Sequence, residues 1–458
     1  MQERPPGDEH PDFWRNLRQE LVGGPQWIDR AVVLAYAVAT GLVVVGCTLL
    51  SEWAYELYVH GRGLQPGGPW LALVWTPALT VAVLWATRRL APAAMGSGIP
   101  QVIAALDARS DDARAGWLVS LKVSLHKTWL VAAGMLAGLS IGREGPTVQI
   151  GAGVMLHARR WLSPGAGVDA HDLMVAGAAA GIAAAFNTPL GGVMFALEEL
   201  SRRRGLSHSA LVIVSIVTAG LVAVSVFGNI TYFGRLAVQR LDWGLFGPGL
   251  LVALIAGLAG GLFSRLIVVS MQGQGDRFSR WRREHPLRFA AGCAFGVALI
   301  GLVTHGATAG AGAAATRSLL EGDAQGPAVY TVLKFCATWL SAWTGVPAGV
   351  FAPSLSIGAG IGHDVAVFAG VGAERAIPLI ALGMVGFLAA TTQAPITAFI
   401  IVMEMVAGHA MVLSLMATAL LSSGVSRMVA RPMYGELASL LMPPPAAPPQ
   451  RGQGSPSQ

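Results

Sequence analysis

The chain has 458 residues, of which 53% are apolar and only 12% charged, with a formal net charge of +6. Ordinary soluble domains carry about a quarter of their residues as Asp, Glu, Lys or Arg, so a water-soluble globule is excluded. The charges are also segregated: the stretches 31–51, 66–87, 173–197, 210–234, 243–264, 289–316, 335–363, 376–403 and 405–426 contain none. Each is long enough to cross a hydrocarbon core, which takes roughly 20 helical residues. The pattern predicts an all-α polytopic membrane protein. It excludes a disordered chain, a nucleic-acid binder and an outer-membrane barrel, whose signature is segments of about 10 alternating residues.

Residues 1–29 mix Glu, Asp, Arg, Pro and Trp without a long apolar run, which argues against a cleavable signal peptide. Phe13, Trp14, Leu17 and Leu21 suit a short amphipathic helix on the inner surface of the membrane. Lys and Arg mark cytoplasmic loops, and two clusters stand out: Arg202, Arg203 and Arg204, then Arg277, Arg280, Arg282, Arg283 and Arg288. Both loops are expected in the cytoplasm, as topology signals rather than nucleic-acid sites, and both termini with them. Cys47, Cys293 and Cys336 lie in apolar surroundings at no metal-ligand spacing and read as small core residues. From residue 441 to 458 the chain is rich in Pro, Gln, Gly and Ser, a tail expected to be disordered. No soluble regulatory domain, cofactor or metal is expected.

The chain between these ends repeats itself. Gly142-Arg143-Glu144-Gly145-Pro146 through Gly153 aligns without a gap on Gly349-Val350-Phe351-Ala352-Pro353 through Gly360, an offset of 207 residues. Asn187-Thr188-Pro189 running to Glu198 matches Gln393-Ala394-Pro395 running to Glu404, an offset of 206. Two homologous halves are expected, about 30–228 and 243–435, within one membrane domain over 30–440. Duplicated membrane halves are typical of transporters, whose sites lie near the midplane among interrupted helices. Here the interruptions are Gly96-Ser97-Gly98-Ile99-Pro100, Gly142 to Pro146 and Gly349 to Pro353. Each Pro can open a helix at its first turn, and the glycines before it let the backbone approach a ligand.

A helix that starts inside the membrane leaves backbone N–H groups unpaired and about half a positive charge at that end. Without water those donors need an acceptor, and a small anion supplies one. Ser97 is placed to add its hydroxyl, or else simply to cap a helix. Glu144, at such a helix start, can occupy the place of an anion when ionised and swing aside when protonated; the alternative is a turn residue paired with Arg143. Glu198 and Glu199 close an apolar run just before the arginine cluster, where one of them can pass protons inward or hold a helix end by a salt bridge. Glu404 is the repeat equivalent of Glu198, so these two read as structural partners, leaving Glu199 as the proton candidate. His126, His157, His305 and His409 show no ligand spacing.

Together the Gly-Ser-Gly-Ile-Pro, Gly-Arg-Glu-Gly-Pro and Gly-Val-Phe-Ala-Pro segments, followed by Tyr434 in Arg431-Pro432-Met433-Tyr434, resemble the CLC family of chloride channels and proton-coupled chloride transporters over roughly residues 30–440. The resemblance implies an antiparallel, inverted repeat of two halves with many tilted and broken helices, and a homodimer with one anion path per subunit. It implies that Ser97 and Tyr434 hold a central anion with backbone amides around Ile99, Phe351 and Ala352. It makes Glu144 the external gating glutamate and Glu199 the internal proton-transfer glutamate. An acid at that inner position favours a chloride/proton antiporter over a passive chloride channel, and Ser97 favours chloride over nitrate or fluoride. One departure is Ile103, where some antiporters of the family carry an acid near the lysine that matches Lys127. The nucleotide-binding domain pair of eukaryotic members is not expected, and a bacterial inner membrane is the expected location.

Other classes fit less well. An intramembrane serine hydrolase wants Gly two residues before the nucleophile, where Met95 stands before Ser97, and the chain has no His-Glu-x-x-His zinc motif. A cation-coupled carrier of organic solutes would place acids at midplane, whereas these acids sit at helix starts and ends.

Overall fold

The computed structural model describes residues 24–63, 67–108, 113–164, 167–201, 209–228, 232–233, 243–273, 275–322 and 329–442. The proposed N-terminal amphipathic helix, the Arg202 to Arg204 cluster and the tail from 443 onward lie outside them. The described residues are helical almost throughout, because a backbone surrounded by lipid must satisfy its N–H and C=O groups within its own segment. The first half runs α1 (Gly24–Gly63), α2 (Gly68–Leu90), α3 (Ile99–Asp107), α4 (Ala113–Leu118), α5 (Leu121–Leu136), α6 (Glu144–His157), α7 (Ala170–Phe186), α8 (Pro189–Phe195) and α9 (Ser209–Phe227). The second half runs α10 (Phe246–Gln272), α11 (Arg277–Glu284), α12 (Pro286–Val303), α13 (Ala313–Leu320), α14 (Tyr330–Trp343), α15 (Phe351–Phe368), α16 (Ala373–Thr392), α17 (Pro395–Met405), α18 (Val412–Val429) and α19 (Met433–Ser439).

Among the described residues seven helical segments, Trp27–Gly63, Gly68–Leu90, Ala210–Phe227, Trp243–Gln272, Pro286–Val303, Ala373–Thr392 and His409–Val429, are long and apolar enough to span a membrane. Stretches long enough to cross are nevertheless not all single helices: 173–197 and 335–363 divide, as does 376–403, where Gln393 takes a left-handed conformation (φ 55°) before Pro395 opens α17. The first divides where Asn187 takes a left-handed conformation (φ 56°) and Pro189 opens α8. The second divides at 344–350, where Gly345 turns (φ 82°) before α15 begins. Of the most apolar window in Ala373–Thr392, 89% is buried, against 33% in Ala210–Phe227 and His409–Val429. Thus α16 lies at the centre while α9 and α18 present apolar side chains outward.

The core is drawn tight by repeat-equivalent glycines. At the crossing of α6 and α7 a Cβ on Gly151 would lie 2.2 Å from the Gly177 carbonyl oxygen, and one on Gly177 would lie 2.3 Å from that of Gly151. At the crossing of α15 and α16 the corresponding separations are 2.3 Å for Gly358 and 2.1 Å for Gly383. Between apolar helices in lipid, such close backbone approach supplies the packing that a hydrophobic effect cannot.

A second repeated device joins the halves. The Glu198 carboxylate accepts the first-turn N–H groups of α17, from Ile396 at 3.2 Å and Thr397 at 2.6 Å. The Glu404 carboxylate accepts those of α8, from Leu190 at 3.2 Å and Gly191 at 2.8 Å. Each helix thus closes the start of the other with an acid near its own end, and a hydrogen bond to an ionised group contributes about 1.5–3 kcal/mol. The alternatives left open for Glu198 narrow to this structural pairing. Outside the spans, Asp276 caps α11 by accepting the Ser279 N–H at 3.3 Å, and the bonds from Ser279 hold its carboxyl below the usual aspartate range.

The glycine crossings give a direct test. Gly177→Ala and Gly383→Ala should each destabilise the detergent-solubilised protein by about 1–3 kcal/mol through overpacking, read as a lower Tm. Gly424→Ala, whose added Cβ meets nothing within 4 Å, should leave the Tm in place.

Candidate functional site

Three helices begin at one point inside the fold. The Gly142 and Gly349 backbones exchange hydrogen bonds, Gly142 N–H to Gly349 O at 2.8 Å and Gly349 N–H to Gly142 O at 2.9 Å. Gly96 pairs with Pro347 in a second short bridge, with the Gly96 N–H donating to Val346 O and the Ala348 N–H to Gly96 O, both at 3.2 Å. These bridges bring the three interrupted segments together, so α3, α6 and α15 start beside one another. Their helical ladders begin with the N–H groups of Val102, Thr147 and Ser354. The amides ahead of these, including those of Ile99, Phe351 and Ala352, lie at the positive helix ends.

The glycines are there because nothing larger fits. A Cβ on Gly145 would stand 2.4 Å from Ser97 Oγ, and one on Gly142 would stand 2.3 Å from Glu144 Oε2. Gly98, at φ 104°, would meet Lys127 Nζ at 2.8 Å. Ser97 Oγ and the Tyr434 hydroxyl are both buried without a hydrogen-bond partner among the described residues. Tyr434 is 1% exposed and stacks on Phe351, with ring centroids 6.1 Å apart and planes 9° from parallel. A cavity of about 180 Å³, lined by Ser97, Tyr434, Ile267 and Leu437 among others, reaches this point. That is roughly six times the share of one water in the liquid.

Glu144 opens α6 and is 0% exposed, and neither carboxyl oxygen has a hydrogen-bond partner among the described residues. The backbone N–H groups of Ala352 and Arg143 lie against it. Arg143 forms its ion pair with Glu52, at 2.8 Å, which leaves the turn-residue alternative for Glu144 without its proposed partner. Glu199 sits in a single π-helical turn, Ala196–Leu200, that continues α8, and is 5% exposed. Such turns inside helices are frequent at functional sites. The structure thus gathers Ser97, Ile99, Glu144, Phe351, Ala352 and Tyr434 around the meeting point of three helix starts, while Glu199 lies on the turn that continues α8.

Lys127, the lysine named with the departure at Ile103, donates its Nζ to Gln149 Oε1 at 2.6 Å and Gly96 O at 3.1 Å, so its partners are a neutral amide and a carbonyl. Gln149 in turn donates to Ala93 O at 3.0 Å and Leu118 O at 2.6 Å. Sequence reasoning missed Lys334, which is 0% exposed and donates to Thr308 O at 2.9 Å and Gly310 O at 2.8 Å. The available signal was its position 207 residues after Lys127.

An inverted repeat of broken helices, with three helix starts meeting at one point inside the fold, defines a polytopic membrane protein of the transporter and channel class. The chain belongs to the voltage gated chloride channel family, whose model matches residues 79–427. Over 386 residues it is 30% identical to the H(+)/Cl(-) exchange transporter ClcA of Vibrio cholerae, covering 80% of this chain and 79% of that protein. It is 31% identical over 392 residues to the protein of the same name from Vibrio parahaemolyticus, covering 80% and 79%. Among solved structures it resembles a slow cyanobacterial Cl-/H+ antiporter, with a TM-score of 0.74 and 22% identity over 90% of this chain and 97% of the other. A CLC-type fluoride/proton antiporter gives a TM-score of 0.72 at 20% identity, over 89% and 97%.

Gly145→Ala should reduce ion flux in reconstituted vesicles at least about tenfold, the equivalent of about 1.4 kcal/mol, because its Cβ displaces Ser97. Gly116→Ala, with nothing within 4 Å of its added Cβ, should transport as the unaltered protein does.

Proposed function

We propose that the protein is a chloride/proton antiporter, exchanging chloride for protons through one anion path in each subunit. The observation that carries this reading is the pair of buried hydroxyls of Ser97 and Tyr434, without hydrogen-bond partners among the described residues, at the meeting point of three helix starts. Hydroxyl and amide donors attract an anion without a full counter-charge, so an ion can enter and still leave. The amides around Ile99, Phe351 and Ala352 complete the donor set. The family relationship and the names of the relatives support chloride and proton as the exchanged ions.

Glu144 is the external gate in this reading. Ionised, its carboxylate competes with chloride for the amides of α6 and α15; protonated, it loses that attraction and withdraws, carrying its proton outward. Glu199 supplies protons from the inner solution, and Glu198 is occupied as a cap. The halves 30–228 and 243–435 form one membrane domain in a bacterial inner membrane, with both termini in the cytoplasm. Two such chains form a homodimer. Support for this comes from α8, α9, α17 and α18, which leave Leu190, Leu221, Ile396 and Leu413 exposed.

Reconstituted vesicles with an outward chloride gradient test the reading. The unaltered protein should drive protons uphill; absence of proton movement would make it a passive channel. Glu144→Gln should abolish proton coupling while chloride flux persists, and Glu199→Gln should lose proton transport with chloride flux retained. Coupling that survives in either variant removes that residue from its role.

A further inference from the structure

The carboxylate of Glu144 is not the only acid that stands where a transported anion would go. Arg143 immediately precedes it and is 5% exposed, so its guanidinium is buried beside the gate. One terminal nitrogen of that guanidinium meets Glu52 Oε1 at 2.8 Å, while Nε is buried with no hydrogen-bond partner among the described residues. A buried guanidinium N–H without an acceptor is costly. It marks a place where a small anion finds both charge and a directed donor. Glu52 differs from its partner in one respect: its side chain is 47% exposed against 6% for Arg143. The Glu52 carboxylate, carried on α1, can therefore swing away from the pair, whereas the buried arginine is held in place.

We infer that Arg143 forms an anion-docking step next to the gate, and that Glu52 is the built-in competitor that sets its affinity. The inference rests on the reading of Glu144 as the gate on the outer side. A chloride arriving from that side must displace the Glu52 carboxylate from the guanidinium before it meets Glu144. Glu52 thus lowers the affinity for anions on one side of the protein and leaves the other side untouched. The ligand class is the small inorganic anion already carried. The new element is a residue of α1, outside all three site motifs, that governs how readily that anion docks.

The test is the dependence of chloride transport on chloride concentration, varied on one side at a time in planar bilayers containing the full chain. Glu52→Gln should lower the half-saturating chloride roughly threefold to tenfold on one side only, and Glu52→Asp, which keeps the charge on a shorter arm, should fall between. Arg143→Gln should raise the half-saturating value on that side, and adding Glu52→Gln to it should then change nothing further, as a double-mutant cycle requires for a direct pair. An unchanged half-saturation in Glu52→Gln overturns the inference. So does an equal effect on both sides, which would mark the pair as structural, or an equal effect in the Arg143→Gln background, which would mark surface potential. Proton coupling does not enter this readout. A protein coupled as proposed but insensitive to Glu52 refutes the docking step alone, while an uncoupled protein with the one-sided shift refutes only the antiport reading.

Discussion

The constraint on which the structure depends is that a helix starting inside a membrane must find acceptors for its first N–H groups where there is no water. This protein meets the constraint in two ways. Where α8 and α17 begin, Glu404 and Glu198 provide permanent carboxylates. Where α3, α6 and α15 begin, no side chain is bonded in that way: Ser97, Tyr434 and Glu144 stand nearby, buried and without partners among the described residues. One set of helix starts is closed by carboxylates and the other, in the proposed reading, is left to a mobile acceptor, so the scaffold and the site are two answers to one electrostatic problem.

Tolerance of such a site requires a rigid surround. The reciprocal caps tie the halves together, and the paired glycines of α6 with α7 and of α15 with α16 let backbones approach until no side chain fits between them. The Gly142–Gly349 bridge then fixes the starts of α6 and α15 against each other. Lys127, held by Gln149 and Gly96 O, pins the segment that carries Ser97. These contacts keep donors aimed at a point without themselves occupying it, which is what preorganised electrostatic recognition needs.

Much of this was legible in the chain. Charge-free stretches gave the membrane setting, and the offset of about 207 residues gave the two halves. Gly and Pro at the interruptions located Ser97, Glu144, Phe351 and Ala352. Tyr434 came from the family resemblance, since nothing in its own surroundings says that its hydroxyl stands near Ser97. The pairing of Glu198 with Glu404 could be read from the repeat, but not that each closes the other's helix. That depends on an antiparallel arrangement no local pattern encodes. Glu52 and Arg143 lie on helices whose packing is set by the whole fold, so their ion pair had no sequence signal. The breaks inside 173–197 and 335–363 leave no mark in hydropathy, which averages over the left-handed turns at Asn187 and Gly345 that end one helix and allow the next.

The repeat also shows where duplication stopped being useful. The scaffold positions are kept in kind: Glu198 with Glu404, Gly151 with Gly358, Lys127 with Lys334, and left-handed Asn187 with Gln393. The site positions are not. Glu144 aligns with Phe351, and Glu199 with Met405. Were both members of each pair acids, two carboxylates would compete for one set of amides and repel each other across the meeting point of α6 and α15. With the acid kept on the first half alone, α15 contributes its positive end to the anion, and Phe351 packs on Tyr434 instead of titrating. The duplicated fold supplies converging dipoles from both sides; in the proposed reading, the loss of symmetry in a few side chains gives protons a single route and leaves room at the centre for the anion.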